Sequence, residues 1–270
     1  MSNLFGLIGE KLKHSFSPAI HSIIFNELNI EGYYDLFEVK SQDLKMAIYG
    51  LKAIGARGVN VTIPYKVNIM EYLDDLSHEA KKIGAVNTIC FKENKTIGYN
   101  TDYFGFGIML DKYDIDIKNK EAVILGTGGA SKAVLQYLLD KGIRDIIFVS
   151  RNIRKSKERL KNYKVISYDD FKKISDKDMI INCTPSGMYP KVENCPVSRD
   201  DISKFQAAVD LIYNPVETLF LKHAKDQGIK SVNGLYMLVG QAVKAQELWN
   251  DIEISSEVIE KIYEEIKKLR

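Results

Sequence analysis

The apolar run Glu121–Leu125 leads straight into Gly126-Thr127-Gly128-Gly129-Ala130-Ser131, and no other stretch limits the fold of this chain so tightly. A buried strand that ends in closely spaced small residues and continues as a helix is one half of a β-α-β crossover, which requires a parallel sheet. The helix follows, with Val134, Leu135, Leu138 and Leu139 predicted on its inner face. Glycines at such a turn let a pyrophosphate approach the helix N-terminus, where unpaired N–H groups and the helix dipole favour an anion. The next strand, Asp145–Val149, ends at Ser150-Arg151-Asn152, with Arg154 one turn on. A site for an unphosphorylated ribose diol places Asp or Glu there; guanidinium groups suit a 2'-phosphate instead. The bland alternative is that Arg151 and Arg154 belong to the solvated face of a helix rich in Lys155, Lys157 and Lys161.

The same alternation runs through the whole chain. Leu4–Gly9, Tyr34–Val39 and Gly58–Thr62 read as strands, separated by helices opening at Ser17-Pro18 and spanning Asp43–Leu51. A further helix is predicted after Lys66, then a hairpin of Ala85–Phe91 and Thr96–Tyr99 around the turn Glu93-Asn94-Lys95. Later strands are Met179–Cys183, Ala207–Ile212 and Ile229–Val232, with helices Glu217–Gln227, Tyr236–Trp249 and Ser256–Arg270. The last of these carries Val258, Ile262, Ile266 and Leu269 along one stripe. The predicted class is α/β with two domains, each a mostly parallel sheet covered by helices. The boundaries fall at 1–102 plus 237–270, and 103–236, so that only two crossings, near Asp102 and Gly234, join a cleft that closes by hinge motion.

Candidate chemistry collects at strand ends. Asn60-Val61-Thr62-Ile63-Pro64-Tyr65-Lys66 is a short apolar strand that stops at a proline and delivers one lysine just beyond it, a rigid mount for an acid or base. Ser15 and Ser17 offer hydroxyls beside a helix start, where Ser17 is the predicted N-cap and Pro18 the first helical residue, and a carboxylate or phosphate fits there.

Composition excludes much else. Of 270 residues, 27% are charged and 45% hydrophobic, which rules out disordered, collagen-like and membrane-spanning classes. A net charge of +2, with lysines interleaved among acids, gives no field for nucleic acid. Three cysteines, Cys90, Cys183 and Cys195, and four histidines lack metal-ligand spacing, so no metal and reduced thiols are expected. Met1–Gly9 has neither a basic segment nor a long apolar core and reads as a first strand; a cytoplasmic protein is expected.

Taken together, His14-Ser15-Phe16-Ser17-Pro18, Asn60–Lys66, Gly84-Ala85-Val86-Asn87-Thr88, Asn100-Thr101-Asp102 and Gly234–Ala242 resemble the shikimate dehydrogenase family from end to end. The resemblance implies a substrate domain formed by the N-terminal part and the last helices, an NADP-binding Rossmann domain between them, and reversible reduction of 3-dehydroshikimate to shikimate. It implies that Ser15 and Ser17, assisted by Tyr213, hold the substrate carboxylate, and that Asn60, Thr62, Asn87 and Gln241 bind ring hydroxyls. Lys66 and Asp102 match the catalytic pair. Gly126, Gly128, Gly129, Ala130, Ser131, Ser150, Arg151, Arg154 and Thr184 fall at cofactor positions, and Gly234 and Met237 line the nicotinamide side. Two departures stand out. Ser150-Arg151-Asn152 replaces the frequent Asn-Arg-Thr, and Asn182-Cys183-Thr184-Pro185-Ser186-Gly187 replaces the commoner Asn-Ala-Thr-Ser form.

Three alternatives compete with this reading. One is a dual quinate and shikimate dehydrogenase using NAD or NADP, against which Ser17 counts, since quinate-preferring relatives tend to carry Thr there. Another is a non-enzymatic sensor of a nucleotide or cyclic acid, and the third a folate-linked dehydrogenase with a Tyr-x-x-x-Lys arrangement, which Tyr65 beside Lys66 does not provide. The expected partner is a small-molecule substrate, with the chain a monomer or homodimer.

Overall fold

A computed structural model describes residues 3–13, 15–92 and 95–269, so Met1, Ser2, His14, the turn residues Glu93 and Asn94, and the terminal Arg270 lie outside the described residues. The chain divides into two compact units, one made of Met1–Gly105 with Val239–Arg270, the other of Phe106–Leu238.

The first unit is built on β1 (Asn3–Gly9), α1 (Ser17–Leu28), β2 (Gly32–Glu38), α2 (Leu44–Ala53) and β3 (Gly58–Val61). It continues with β4 (Asp75–Leu76), α3 (His78–Ile83), β5 (Thr88–Lys92), β6 (Lys95–Tyr99) and α4 (Thr101–Lys112). Its sheet runs β2-β1-β3-β5-β6-β4. As expected, the sheet is mostly parallel: β1 pairs parallel with β2 and β3, and β4 with β6, while β5 pairs antiparallel with both β3 and β6, through the hairpin that the sequence predicts. Ile8, Val59, Val61, Tyr65, Val86 and Ile89 fill the core on one side, and Phe5, Phe25, Cys90 and Trp249 form a second cluster.

Two local readings change here. Ser17 is not the N-cap of α1: Phe16 takes that place with helical backbone, and Ser17 donates its own N–H to Ser15 Oγ at 3.3 Å, leaving Pro18, which has no N–H, in the first turn. The segment after Lys66 forms only a 3-10 turn at Asn68–Tyr72, because Ile69 alone of its apolar residues is fully buried and the chain must rejoin the sheet at β4.

The second unit comprises β7 (Glu121–Leu125), α5 (Gly129–Asp140), β8 (Asp145–Val149), α6 (Ile153–Arg159), β9 (Lys164–Ile166) and α7 (Tyr168–Phe171). Then follow β10 (Lys177–Asn182), α8 (Arg199–Ile202), β11 (Phe205–Asp210), α9 (Leu219–Lys225), β12 (Lys230–Val232) and the start of α10 (Leu235–Asn250). The sheet order β12-β11-β10-β7-β8-β9 is parallel throughout and reverses direction between β7 and β10, the doubly wound Rossmann order. On α5 the inner face is Ala133, Val134, Tyr137 and Leu138, whereas Leu139 is exposed; the Tyr137 ring takes its place, edge-on to Phe106. In α11 (Ser256–Lys268) the buried stripe is Ile262, Tyr263 and Ile266, and Leu269 lies beyond the last turn in solvent.

Both crossings between units fall inside helices, at Gly105/Phe106 in α4 and Leu238/Val239 in α10. Among the described residues no helix is long and apolar enough to cross a membrane.

Gly58 shows how closely α10 is set against the first sheet. A Cβ there would lie 2.0 Å from Trp249 Nε1, whose N–H is already committed to the Ile89 carbonyl at 2.9 Å. Gly58→Ala should therefore destabilise the protein by about 1 to 3 kcal/mol. Urea unfolding followed through the fluorescence of Trp249, the sole tryptophan, measures this directly.

Candidate active site

Lys66 is held by its neighbours before it meets any ligand. Tyr65 is buried and donates its hydroxyl to the Val39 carbonyl, and the Lys66 carbonyl accepts from Val86 N–H at 2.7 Å. The main chain is thus pinned on both sides of the lysine. Its Nζ reaches Asp102 Oδ2 at 2.7 Å, with the lysine side chain 19% and the aspartate 7% exposed. Asp102 stands in the first turn of α4, where the helix dipole favours a carboxylate. That turn is itself fixed: Asn100 Oδ1 accepts from Tyr103 N–H at 3.4 Å, and its Nδ2 donates to the Ala85 carbonyl at 3.0 Å.

Asn87 joins the pair to the rest of the site. It lies one residue ahead of β5, not inside the strand as its sequence suggests, with its N–H given to Tyr99 and its carbonyl accepting from Val61 N–H. Its Oδ1 accepts from Thr101 N–H at 2.7 Å, so its Nδ2 must face the other way. There it donates to Asp102 Oδ1 at 2.9 Å and lies 3.4 Å from Gln241 Oε1. Asn60 sits alongside, donating to Thr88 Oγ1 at 3.0 Å and the Asn87 carbonyl at 3.3 Å. Five residues singled out in the sequence, Lys66, Asp102, Asn87, Gln241 and Asn60, therefore form one hydrogen-bonded group. At the start of α1 the Ser15 hydroxyl accepts from the Ser17 N–H, and Thr62 is tied to β1 by its N–H bond to the Ile8 carbonyl at 3.0 Å.

In the second unit the small-residue turn follows β7 at the point where the sheet order reverses. Gly126 has φ of 94°, and a Cβ there would press on Thr184 Cγ2 at 2.9 Å, so only glycine fits between the two loops. At Gly128 and Gly129 a Cβ would meet nothing within 4 Å, leaving open space in front of the α5 N-terminus that side chains would fill. Ser131 Oγ closes the turn by donating to the Gly128 carbonyl at 2.8 Å, and Ala130 follows Gly129 in the first turn of the helix. At the end of β8, the hydroxyls of Ser150 and Ser156 lie 2.7 Å apart and Thr127 Oγ1 is 3.0 Å from Ser156, which ties the first and second strand-end loops together. Arg151 and Arg154 are exposed, the latter with only a 3.7 Å surface pairing to Glu158. Two guanidinium groups in solvent beside a strand end that carries no acid are chemically fit for a phosphate monoester. Tyr213 lies past β11, and Gly234 packs so closely on Leu211 that a Cβ would sit 2.1 Å from its carbonyl oxygen; Met237 is buried in the first turn of α10. Among the described residues no cluster of His, Cys, Asp and Glu could hold a metal ion.

Comparison with known proteins agrees with this layout. Residues 7–89 match the profile of the shikimate dehydrogenase substrate binding domain, and residues 109–211 that of shikimate / quinate 5-dehydrogenase. A Clostridium perfringens protein named shikimate dehydrogenase (NADP(+)) is 50% identical over 266 residues, 98% of each chain. The chain belongs to the shikimate dehydrogenase family. Its fold superposes on a chorismate mutase/shikimate 5-dehydrogenase fusion protein from Clostridium acetobutylicum with a TM-score of 0.97 at 51% identity, covering 99% of this chain and 98% of that one. A Thermus thermophilus shikimate 5-dehydrogenase, solved with NADP(H) and shikimate, gives 0.87 at 30% identity, covering 97% and 99%.

Sequence reasoning passed over one feature of this family member. Asp210, at the end of β11, is buried and accepts from Asn182 Nδ2 at 3.0 Å, Ile212 N–H at 3.1 Å and Thr218 Oγ1 at 2.6 Å. Asn182 in turn accepts from the Thr184 hydroxyl at 2.6 Å, so one carboxyl steadies two strand-end loops. Burial raises the Asp210 carboxyl to about 7 against the pull of those three donors. Because its folded value exceeds its unfolded one of about 4, its contribution to stability is full below about pH 4 and is lost as pH rises through 7. The neutral variant Asp210→Asn should gain on the wild type over that interval and hold a constant difference above it. Urea unfolding of both below about pH 5 and above about pH 8 decides it; a difference independent of pH would mean the carboxyl never titrates there.

Proposed function

We propose that this chain is an NADP-dependent shikimate dehydrogenase, catalysing the reversible reduction of 3-dehydroshikimate to shikimate in the pathway to aromatic amino acids. The observation that carries the proposal is the Lys66–Asp102 pair, 2.7 Å apart and ringed by the amides of Asn87, Gln241 and Asn60. In the direction of reduction, negative charge grows on the substrate's carbonyl oxygen. The Lys66 ammonium stabilises that charge and transfers a proton to it, while Asp102 holds the ammonium in place. In the reverse direction the proton returns to Lys66 by the same path. Asn60, Thr62, Asn87 and Gln241 orient the ring hydroxyls, and Ser15 and Ser17, with Tyr213, take the carboxylate.

NADPH, when bound, supplies the hydride. In this reading the turn through Gly126, Gly128, Gly129, Ala130 and Ser131 receives its pyrophosphate, Ser150, Arg151 and Arg154 its 2'-phosphate, and Thr184, Gly234 and Met237 its nicotinamide end. Three thiols without a disulfide fit a reducing compartment, and the proposal places the enzyme in the cytoplasm. A dual quinate enzyme using NAD is the weaker reading, since curated relatives at 50% identity carry the NADP(+) name. The intact ion pair speaks against a sensor.

Lys66→Ala should lower kcat by about 10² to 10⁴ while the KM for NADP changes little. Steady-state absorbance assays of nicotinamide reduction with shikimate or quinate, against NADP or NAD, test substrate and cofactor together, and turnover with quinate or NAD at equal efficiency would overturn the narrower assignment. Arg151→Ala should raise the KM for NADP about tenfold, the worth of one charge-assisted contact, and leave that for NAD unchanged.

A further inference from the structure

Tyr34 stands on β2, a sheet-edge strand that none of the readings above draws into the site. Its hydroxyl lies 2.8 Å from Asn60 Oδ1, and its ring stacks flat on His21, centroids 4.0 Å apart with 10° between planes. His21 is a buried group that the mechanism does not use. The Gln246 amide nitrogen faces its Nδ1 at 2.8 Å and can only donate, so Nδ1 accepts and Nε2 carries the proton. Burial pushes this imidazole down to about 3, with the Asn60 side chain next to it pulling the other way, so the ring is neutral and serves as a flat support for Tyr34.

The direction of every bond in this region follows from the groups that have no choice. The Asn87 carbonyl can only accept, and it lies 3.3 Å from the Asn60 carboxamide, so the amide NH2 faces it. Asn60 Oδ1 must then face Tyr34, and Tyr34 must donate. Asn60 gives its second proton to Thr88 Oγ1 at 3.0 Å. Thr88 is left to donate to Asn87 Oδ1 at 3.1 Å or Thr101 Oγ1 at 3.2 Å, and Thr101 itself reaches Asn87 Oδ1 at 3.2 Å. Asn87 Oδ1 is fixed as the acceptor by Thr101 N–H, so Asn87 Nδ2 donates to Asp102 Oδ1. Donors run one way, from the edge strand to the carboxylate that grips Lys66.

We infer that Tyr34 is a positioning residue of this site: its hydroxyl holds the Asn60 carboxamide in the orientation that the Asn87 carbonyl sets, and heads the hydrogen-bond chain through Thr88 and Asn87 to Asp102. The inference rests on the proposed reading of Asn60, Asn87, Asp102 and Lys66. Without the phenol, the Asn60 carboxamide keeps its bonds to His21, Thr88 and the Asn87 carbonyl but loses the one from β2, and with it part of the restraint that holds it square to the substrate's hydroxyls. Substrate binding suffers first; cofactor binding, which belongs to residues of the second unit, does not.

The test is steady-state kinetics of the full chain as Tyr34→Phe, Thr88→Val and the double variant, beside the wild type, with shikimate and NADP varied separately. Phenylalanine keeps the ring on His21, and valine keeps the shape of threonine, so thermal unfolding should stay close to wild type for Tyr34→Phe. The expected result is a rise in the KM for shikimate of about 3- to 10-fold in Tyr34→Phe, the worth of one hydrogen bond, with kcat and the KM for NADP within about twofold. The double variant should raise the KM for shikimate by less than the product of the two single effects, because the second cut falls on a chain already broken. An unchanged KM for shikimate, an equal rise in the KM for NADP, or fully multiplicative effects would each overturn the inference. A wild type that does not turn over shikimate sinks the functional reading and the inference together; an active wild type with an unaffected Tyr34→Phe sinks the inference alone.

Discussion

A lysine and an aspartate taken partly out of water are favourable together only if the lone pairs and protons they do not give each other are also satisfied. Much of the first unit can be understood as meeting that condition for Lys66 and Asp102. One oxygen of Asp102 goes to Lys66 and the other to Asn87, while Asn87 is steadied by Thr101 from the same helical turn. Thr88, Asn100 and Thr101 are buried polar residues with no core-forming value of their own, and each is spent on this arrangement. No buried side-chain nitrogen or oxygen among the described residues lacks a partner. A site so completely paired is preorganised: in the proposed reaction, a substrate oxygen beside Lys66 would meet charge already in place.

How much of this the sequence discloses depends on whether a residue's role is local. The turn after β7 is legible because its meaning lies in consecutive residues, a strand, spaced glycines and a helix, and the parallel order of the second sheet follows from repeating that unit. Lys66 and Asp102 are legible only as members of a family pattern, since nothing near either in sequence names the other across 36 positions. Tyr34 and His21 leave no such trace. A tyrosine in an edge strand and a histidine at helical spacing look like ordinary packing residues, and the bonds that give them a role come from β3 and α10. Asp210 was missed for the same reason: its three donors come from Asn182, Ile212 and Thr218, on three different segments.

The errors of local reading are equally physical. Ser17 has the chemistry of an N-cap, but Ser15 two residues earlier takes its N–H first, and α1 begins one residue sooner than capping preference implies. Leu139 has the right spacing for an inner face, yet Tyr137 on the neighbouring row fills the space against Phe106 and Gly107, and burial follows volume before periodicity. The antiparallel pairing of β5 in the first sheet, by contrast, was legible, because the hairpin signal around its turn is local.

The direction of the hydrogen-bond chain adds a constraint that distances alone do not express. An amide can be turned over at little steric cost, so an asparagine in a binding site is specific only if something that cannot reverse its own role faces it. In the first unit the irreversible groups are the Asn87 carbonyl and the Thr101 N–H, both backbone, and the carboxylate of Asp102. They leave Asn60 and Asn87 one orientation each, and they oblige Tyr34 to donate. A phenol is suited to that duty because burial raises its proton affinity, so the hydroxyl holds its proton more firmly than a tyrosine in water. A serine in its place is too short to reach across from β2, and a histidine there would present either a donor or an acceptor according to its tautomer. The requirement for a long, rigid side chain with one committed proton is what selects tyrosine at this position.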